Sequence, residues 1–233
     1  MREPWKAKKT GDGSGLRGSL IPRNMRQAAL FSLLLGTVVF AQADVAGWKY
    51  STLDEESQSR LESGEFLIMP NRPDELGAAD KRFVTIAQLV TGSHTEIWNV
   101  IHDKEGAEDF LDGVLESEVI EEGENLIVVS QKTRVGGPKG AYRYTLRHTL
   151  TPMERSDFKF VKGEIRNVIG TWWIMEGPDA DRKLLVYSLH IDPGVYAPQF
   201  VVKKGMKKTM PSTIRGIQDE VTRRSAVLAA TKE

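Results

Sequence analysis

The sequence predicts an α+β fold: an antiparallel sheet of about six to seven strands and one long C-terminal helix. Three observations carry this. Six strand-like segments follow one another between residues 113 and 191 with no helical segment between them. The stretches that join them, among them "EGEN", "GGPKG", "TPMERS" and "GPDADR", are rich in Gly, Pro, Asn and Asp, the residues of hairpin turns. From residue 198 to 230 the apolar positions Val201, Met210, Ile214, Ile217, Val221 and Leu228 recur mainly at steps of three, four or seven, the period of an amphipathic helix.

The elements take the following order. Residues 51–66 read as a short helix with Ser51 or Thr52 as cap. Asp54, Glu55 and Glu56 lie in its first turn, where the helix dipole favours anions. Residues 71–81 form a polar loop and 82–90 a strand. Residues 94–103 place Ile97, Val100 and Ile101 at helical spacing behind Ser93, and 105–111 form a second short helix. The strands are 113–122, 125–135, 141–150, 157–164, 170–176 and 183–191. The helix over 198–230 contains Pro211, which is expected to kink or split it.

The N-terminus is organised differently. Arg23 and Arg26 precede the uncharged run 28–40, which is followed by Ala41-Gln42-Ala43. Basic, apolar, small-residue is the order of a secretory signal peptide, here cleaved after Ala43 for a periplasmic product. The alternative is an inner-membrane anchor over 28–40, although thirteen residues fall short of the roughly 20 a membrane span needs. Residues 1–24 are polar and Gly-rich, so Met25 would make a more ordinary start. The domains are then 1–43 (extension and signal peptide), 44–80 (N-terminal helix and extension) and 81–230 (the main domain). The segment 1–43 holds seven of 32 basic and two of 32 acidic residues, so the mature chain is mildly acidic.

Composition excludes several chemistries. With no cysteine there is no disulfide, thiol nucleophile, iron–sulfur cluster or Cys-ligated zinc. The formal net charge of zero carries no nucleic-acid signature. His94, His102, His148 and His190 form no metal-binding triplet, and no serine sits in a nucleophile elbow. No metal site, no cofactor and no catalytic constellation is therefore expected, and the chain is expected to be a monomer.

Three stretches resemble a known family. "EIWNVIHDKEGAEDFLDGV" (96–114) offers Trp98, Asp103 and Phe110 to a pattern whose tyrosine and proline are absent here. "FKFVKGEIRNVIGTWWI" (158–174) resembles a hairpin ending in glycine, any residue, tryptophan. "VYSLHIDPG" (186–194) with the Pro-containing helix resembles a last strand and closing helix. Over residues 60–222 the chain is similar to the START-like or SRPBCC superfamily, in its polyketide cyclase and coenzyme Q-binding branch and in exported bacterial form. The resemblance implies a helix-grip fold, in which a curved sheet wraps around the closing helix and encloses a cavity. It implies an exported protein that holds a lipid, isoprenoid or quinone-like molecule there. A cyclase- or dehydratase-like enzyme using the same cavity, or an interaction module with a filled core, are the other readings.

Strand parity then assigns the faces. In 183–191, Leu185, Tyr187, Leu189 and Ile191 make a wholly apolar face, which should point inward. The resemblance turns Trp172 and Ile174 inward, which leaves Trp173 and Met175 outside. An indole left in water forgoes about 4–6 kcal/mol, so segment 48–69 is expected to cover Trp173. The same parity turns Tyr142, Tyr144, Leu146, His148, Phe158 and Phe160 inward, with Val129, Gln131 and Thr133. The expected ligand-binding set is Tyr144, His148, Phe158, Phe160, Trp172, Ile174, Tyr187, Leu189, Phe200, Met210 and Ile214. Segment 192–210 is expected to gate the cavity, with Phe200 and Met210 facing it. Lys203, Lys204, Lys207 and Lys208 form a basic stripe suited to transient contact with an anionic membrane surface.

Overall fold

The computed structural model describes residues 47–75, 80–134, 140–194 and 198–231. The signal-peptide and start-site expectations lie outside these residues. A 3-10 turn at Tyr50–Thr52 leads into α1 (Glu55–Glu62), β1 (Leu67–Met69), β2 (Val84–Thr91), α2 (His94–His102) and α3 (Ala107–Phe110). The meander follows as β3 (Val114–Gly123), β4 (Leu126–Thr133), β5 (Tyr142–Thr151), β6 (Arg155–Gly163), β7 (Asn167–Glu176) and β8 (Arg182–Asp192), and α4 (Gln199–Ala230) closes the chain. The eight strands form one antiparallel sheet in the order β1-β2-β8-β7-β6-β5-β4-β3. The predicted helix-grip arrangement is therefore the fold, with one strand more than expected. That strand, β1, is three residues long, too short for a period-2 pattern to register.

Local chemistry sets the helix starts. Asp54, rather than Ser51 or Thr52, caps α1 by accepting from the Ser57 N–H at 2.8 Å. Ser93 caps α2 in a capping box with Glu96, as its sequence spacing predicts. Register shifts at Val114/Glu116 and Val119/Glu121 in β3, and opposite Thr145/Leu146 where β6 carries the extra residue Val161, bend the sheet in the way β-bulges do.

Helix α4 runs unbroken through Pro211, so of the kink or split expected there the split does not occur. Proline removes a single intrahelical hydrogen bond. Val202, Met206, Met210, Ile214, Ile217 and Val221 are all buried on the face turned to the sheet, so packing on both sides of Pro211 holds one helix together. Gly216 allows a close approach of α4 to α3: a Cβ there would lie 2.1 Å from the Phe110 carbonyl oxygen.

The core divides by strand parity. Trp172, Ile174, Leu185 and Leu189 belong to the inner cluster with α2 and α4. Trp173, Leu184 and Val186 belong to an outer cluster with Tyr50, Leu61, Leu67 and Ala87, against which Trp48, Leu53 and Met69 also pack. Segment 48–69 therefore covers the second tryptophan.

Candidate functional site: a cavity between the sheet and the closing helix

The inner face encloses a cavity of about 390 Å³. Strands β4 to β8 supply one wall, and α2, α3, the start of β3 and α4 supply the other. Tyr144, His148, Phe158, Tyr187 and Leu189 line it, as strand parity predicts, and so does Trp172, which the family resemblance turns inward. Leu146, Gln131 and Thr133, also turned inward by that reasoning, line it too.

The aromatic wall is built by register. Trp172 on β7 pairs with Tyr187 on β8, and their rings stack at 3.7 Å between centroids and 3° between planes. Phe158 on β6 lies opposite Gly170 on β7. Its ring occupies the space a side chain would need, since a Cβ on Gly170 would meet Phe158 Cζ at 2.2 Å. The Gly-x-Trp pattern thus has a physical basis: the glycine admits the Phe158 ring, and the tryptophan continues the wall two residues on.

Other expected residues sit elsewhere. Ile174, Met210 and Ile214 are buried in the inner cluster but do not line the cavity, and Phe160 packs half-buried against that cluster. Phe200 is 74% exposed, which corrects its placement toward the cavity. It stands two residues before buried Val202, about 200° around the helix, so a helix that buries Val202 must expose it. Lys204, Lys207 and Lys208 are exposed, whereas Lys203 is half-buried and donates to the Lys81 carbonyl. Residues 195–197 of the expected gate lie outside the described residues.

Of the polar part of the wall, sequence reasoning found His148, Gln131 and Thr133 but missed Lys104. Lys104, in the turn between α2 and α3, points inward, lines the cavity and is 6% exposed. Its Nζ donates to the Ile101 carbonyl at 2.6 Å. Burial pushes the amine down to about 7, against a smaller opposing pull from Asp103. His148 is 4% exposed; its Nδ1 pairs with Ser156 Oγ at 3.3 Å and its Nε2 has no partner among the described residues. Burial holds this imidazole well below its ordinary range, and the basic groups of Lys104 and His102 nearby push it the same way. The His102 ring lies 3.6 Å from that of Trp98, tilted by 31°, and places Nδ1 2.8 Å from the Trp98 carbonyl, which fixes Nδ1 as the donor. Burial pushes this imidazole down to about 3.

The turn that carries Lys104 is anchored. Asp103 accepts from the Gly106 N–H at 2.8 Å and from Arg224 of α4 at 2.5 Å. Arg224 also donates to Glu220 at 2.6 Å, and Glu220, bonded first by Arg223 and then by Arg224, is held down at about 2. This ion-pair chain fixes the helix α4 against the α2–α3 turn.

Comparison with known proteins follows the same lines. A family described as "Polyketide cyclase / dehydrase and lipid transport" matches residues 92–217. No curated protein matches the sequence at a significant level. The human StAR-related lipid transfer protein 5 superimposes with a TM-score of 0.55 at 18% identity, covering 78% of this chain and 90% of that one. The Zhui aromatase/cyclase from a Streptomyces species gives 0.53 at 19% identity, covering 61% and 94%. A STAR-related lipid transfer protein from Xanthomonas axonopodis gives 0.52 at 14%, covering 64% and 98%. At these identities the similarity is one of fold.

Proposed function

This chain belongs to the polyketide cyclase / dehydrase and lipid transport family, and from that membership we propose that it binds and carries a hydrophobic small molecule. The observation that carries this reading is the cavity of about 390 Å³. Its size falls within the range of small-molecule sites, and its wall is mainly aromatic and aliphatic with a few polar groups. Two of the superimposed proteins are named for lipid transfer, which agrees with the reading. The ligand lies against the Trp172–Tyr187 stack and Phe158. Lipids, isoprenoids and quinones are the classes such a wall suits. The test is extraction: native mass spectrometry and organic extraction of the purified protein should yield a lipophilic molecule near one per chain. A protein that purifies empty and takes up no added lipophile would overturn the reading.

The carrier acts outside the cytoplasm. The support is the order of basic, apolar and small residues over 23–43. N-terminal sequencing of the exported protein should begin at Asp44. A start upstream of Gln42 would overturn cleavage after Ala43, and a start upstream of Ala28 would keep the segment 28–40 in the final product and favour the anchored form. At the membrane, Lys204, Lys207 and Lys208 meet anionic head groups while the exposed rim of α4, with Phe200 and Val201, enters the interface.

A second reading rests on His148. A neutral, buried imidazole with an unpartnered nitrogen at the cavity wall suits a general base of a cyclase- or dehydratase-like reaction. Turnover that falls at least a hundredfold in His148→Ala would support it. Turnover unchanged by that substitution would remove it.

A further inference from the structure

We propose that Lys104 and His148 form a headgroup site for a long-chain carboxylic acid, whose carboxylate pairs with the Lys104 ammonium and whose chain lies against the aromatic wall. The inference rests on the carrier reading and names its ligand class.

The geometry supplies a buried base with no counter-ion of its own. Lys104 Nζ uses one donor on the Ile101 carbonyl, and an ammonium has two more. The groups that face it are His102 from α2 and His148 from β5, both kept neutral by burial. Asp103 is adjacent in sequence, but its carboxylate is taken up by Arg224 and the Gly106 N–H, and Glu220 is bonded to Arg223 and Arg224. Asp112 and Arg134 line the cavity too, but both are exposed to solvent. Among the described residues no carboxylate forms an ion pair with Lys104.

A second, independent observation points the same way. His148 lines the cavity, is 4% exposed, and has a ring nitrogen, Nε2, that no described group bonds. A buried polar atom without a partner costs free energy that a ligand can return. A carboxyl group has two oxygens, one for the ammonium and one for an imidazole N–H.

Charge selects the class. The site can carry one positive charge, on Lys104, which matches a monoanion. A phosphate monoester near its dianionic state would bring a surplus charge into a low-dielectric wall. An ester or alcohol would leave the amine without a counter-ion. Proton balance is simple: the acid's proton passes to the amine, giving carboxylate and ammonium. When an already ionised acid enters above about pH 7, the amine takes a proton from solvent.

The experiment titrates delipidated protein with dodecanoic acid, its methyl ester and dodecanol, read by tryptophan emission and calorimetry. The acid should bind about tenfold to a hundredfold more tightly than the ester near neutral pH. Its affinity should fall as pH rises above about 7, by at most about tenfold per pH unit, while that of the ester stays flat. Lys104→Met should abolish the preference and leave ester binding in place. In the wild type, the carbon-13 shift of carboxyl-labelled dodecanoic acid should report an ionised carboxylate at about pH 5, below the range in which free long-chain acid is fully ionised. Equal binding of acid and ester, a preference retained in Lys104→Met, or a protonated bound acid would each overturn the site while leaving the carrier reading intact. Binding of none of the three probes would overturn both.

Discussion

Trp172 and Trp173 are neighbours on one strand, equally buried at 7% exposure, and they serve opposite faces of the sheet. Trp173 is closed in by chain that comes from elsewhere in sequence: Tyr50, Leu61 and Leu67 pack with it, and the Arg155 guanidinium lies 5.1 Å over its ring. Trp172 stacks on Tyr187 and borders open space between the sheet and the closing helix. The outer face is thus spent on stability. The inner face combines a packed part, around Met210 and Ile214, with a wall that leaves room for another molecule. The difference teaches that burial alone does not separate core from site; what lies beyond the ring does.

The largest expected effect tests this contrast directly. Trp173→Ala should cost about 3–5 kcal/mol in urea unfolding, the usual range for an aromatic removed from a packed core. Trp172→Ala should cost less, about 2–3 kcal/mol, because one side of that ring already lacks neighbours. It should also weaken lipophile binding, which Trp173→Ala should leave unchanged. Equal costs, or a larger cost at 172, would break the comparison.

Lys104 sharpens it from the polar side. Its folded-state amine sits near 7 against an ordinary 10.5, so the unfolded chain binds the extra proton. This lowers stability fully below about pH 7, and the penalty fades as pH rises toward about 10.5. Ligand-free Lys104→Met should therefore be more stable than wild type by about 1–4 kcal/mol near pH 6, with the gap closing near pH 10. A pH-independent gap would mean that the amine is not buried as a base. Somewhat smaller, Gly170→Ala should cost about 1–3 kcal/mol, because the new methyl must displace the Phe158 ring. The methyl would also come within 2.6 Å of the Ser188 carbonyl oxygen, so β8 must shift as well, and binding should change because the Phe158 ring lines the cavity. A neutral substitution would show the wall to be soft.

Much of this was legible in the sequence, for reasons that differ by region. Alternation along residues 183–191 marks two faces of unequal polarity, and that is enough to assign Leu185 and Leu189 inward and Leu184 outward. The family resemblance turns Trp172 inward and parity turns Phe158 and His148 inward, and the observed register sets all three on the cavity wall. Parity cannot say how far along a strand the cavity extends, so Ile174 and Phe160 were assigned to a wall they do not line. Nor does helical spacing separate Ile217, which borders the cavity, from Ile214, which is packed. Lys104 was illegible because a lysine among charged loop residues reads as solvated. The one cue was that the family pattern departs after Asp103, in the same stretch. Phe200 fails for a different reason: the gate over 192–210 turns it toward the cavity, whereas the helical angle to buried Val202 decides its side.

Phe200 gives the smallest expected effect on the fold and closes the comparison of aromatic rings. It is a large ring that neither cluster covers, at 74% exposure, beside Val201 at 48% and one turn before Lys204. Single exposed apolar residues need no explanation. An aromatic–aliphatic pair next to exposed lysines, at the start of the helix that closes the cavity, matches the composition of an interfacial helix rim. Phe200→Ser should therefore change unfolding stability by no more than about 0.5 kcal/mol. Its effect should appear in sedimentation with vesicles that contain anionic lipid. Binding should drop for Phe200→Ser, and drop further when Lys204, Lys207 and Lys208 are replaced by Glu, as attraction of roughly 1 kcal/mol per basic residue is lost. Retention of vesicle binding by both variants would return this rim to ordinary solvated surface.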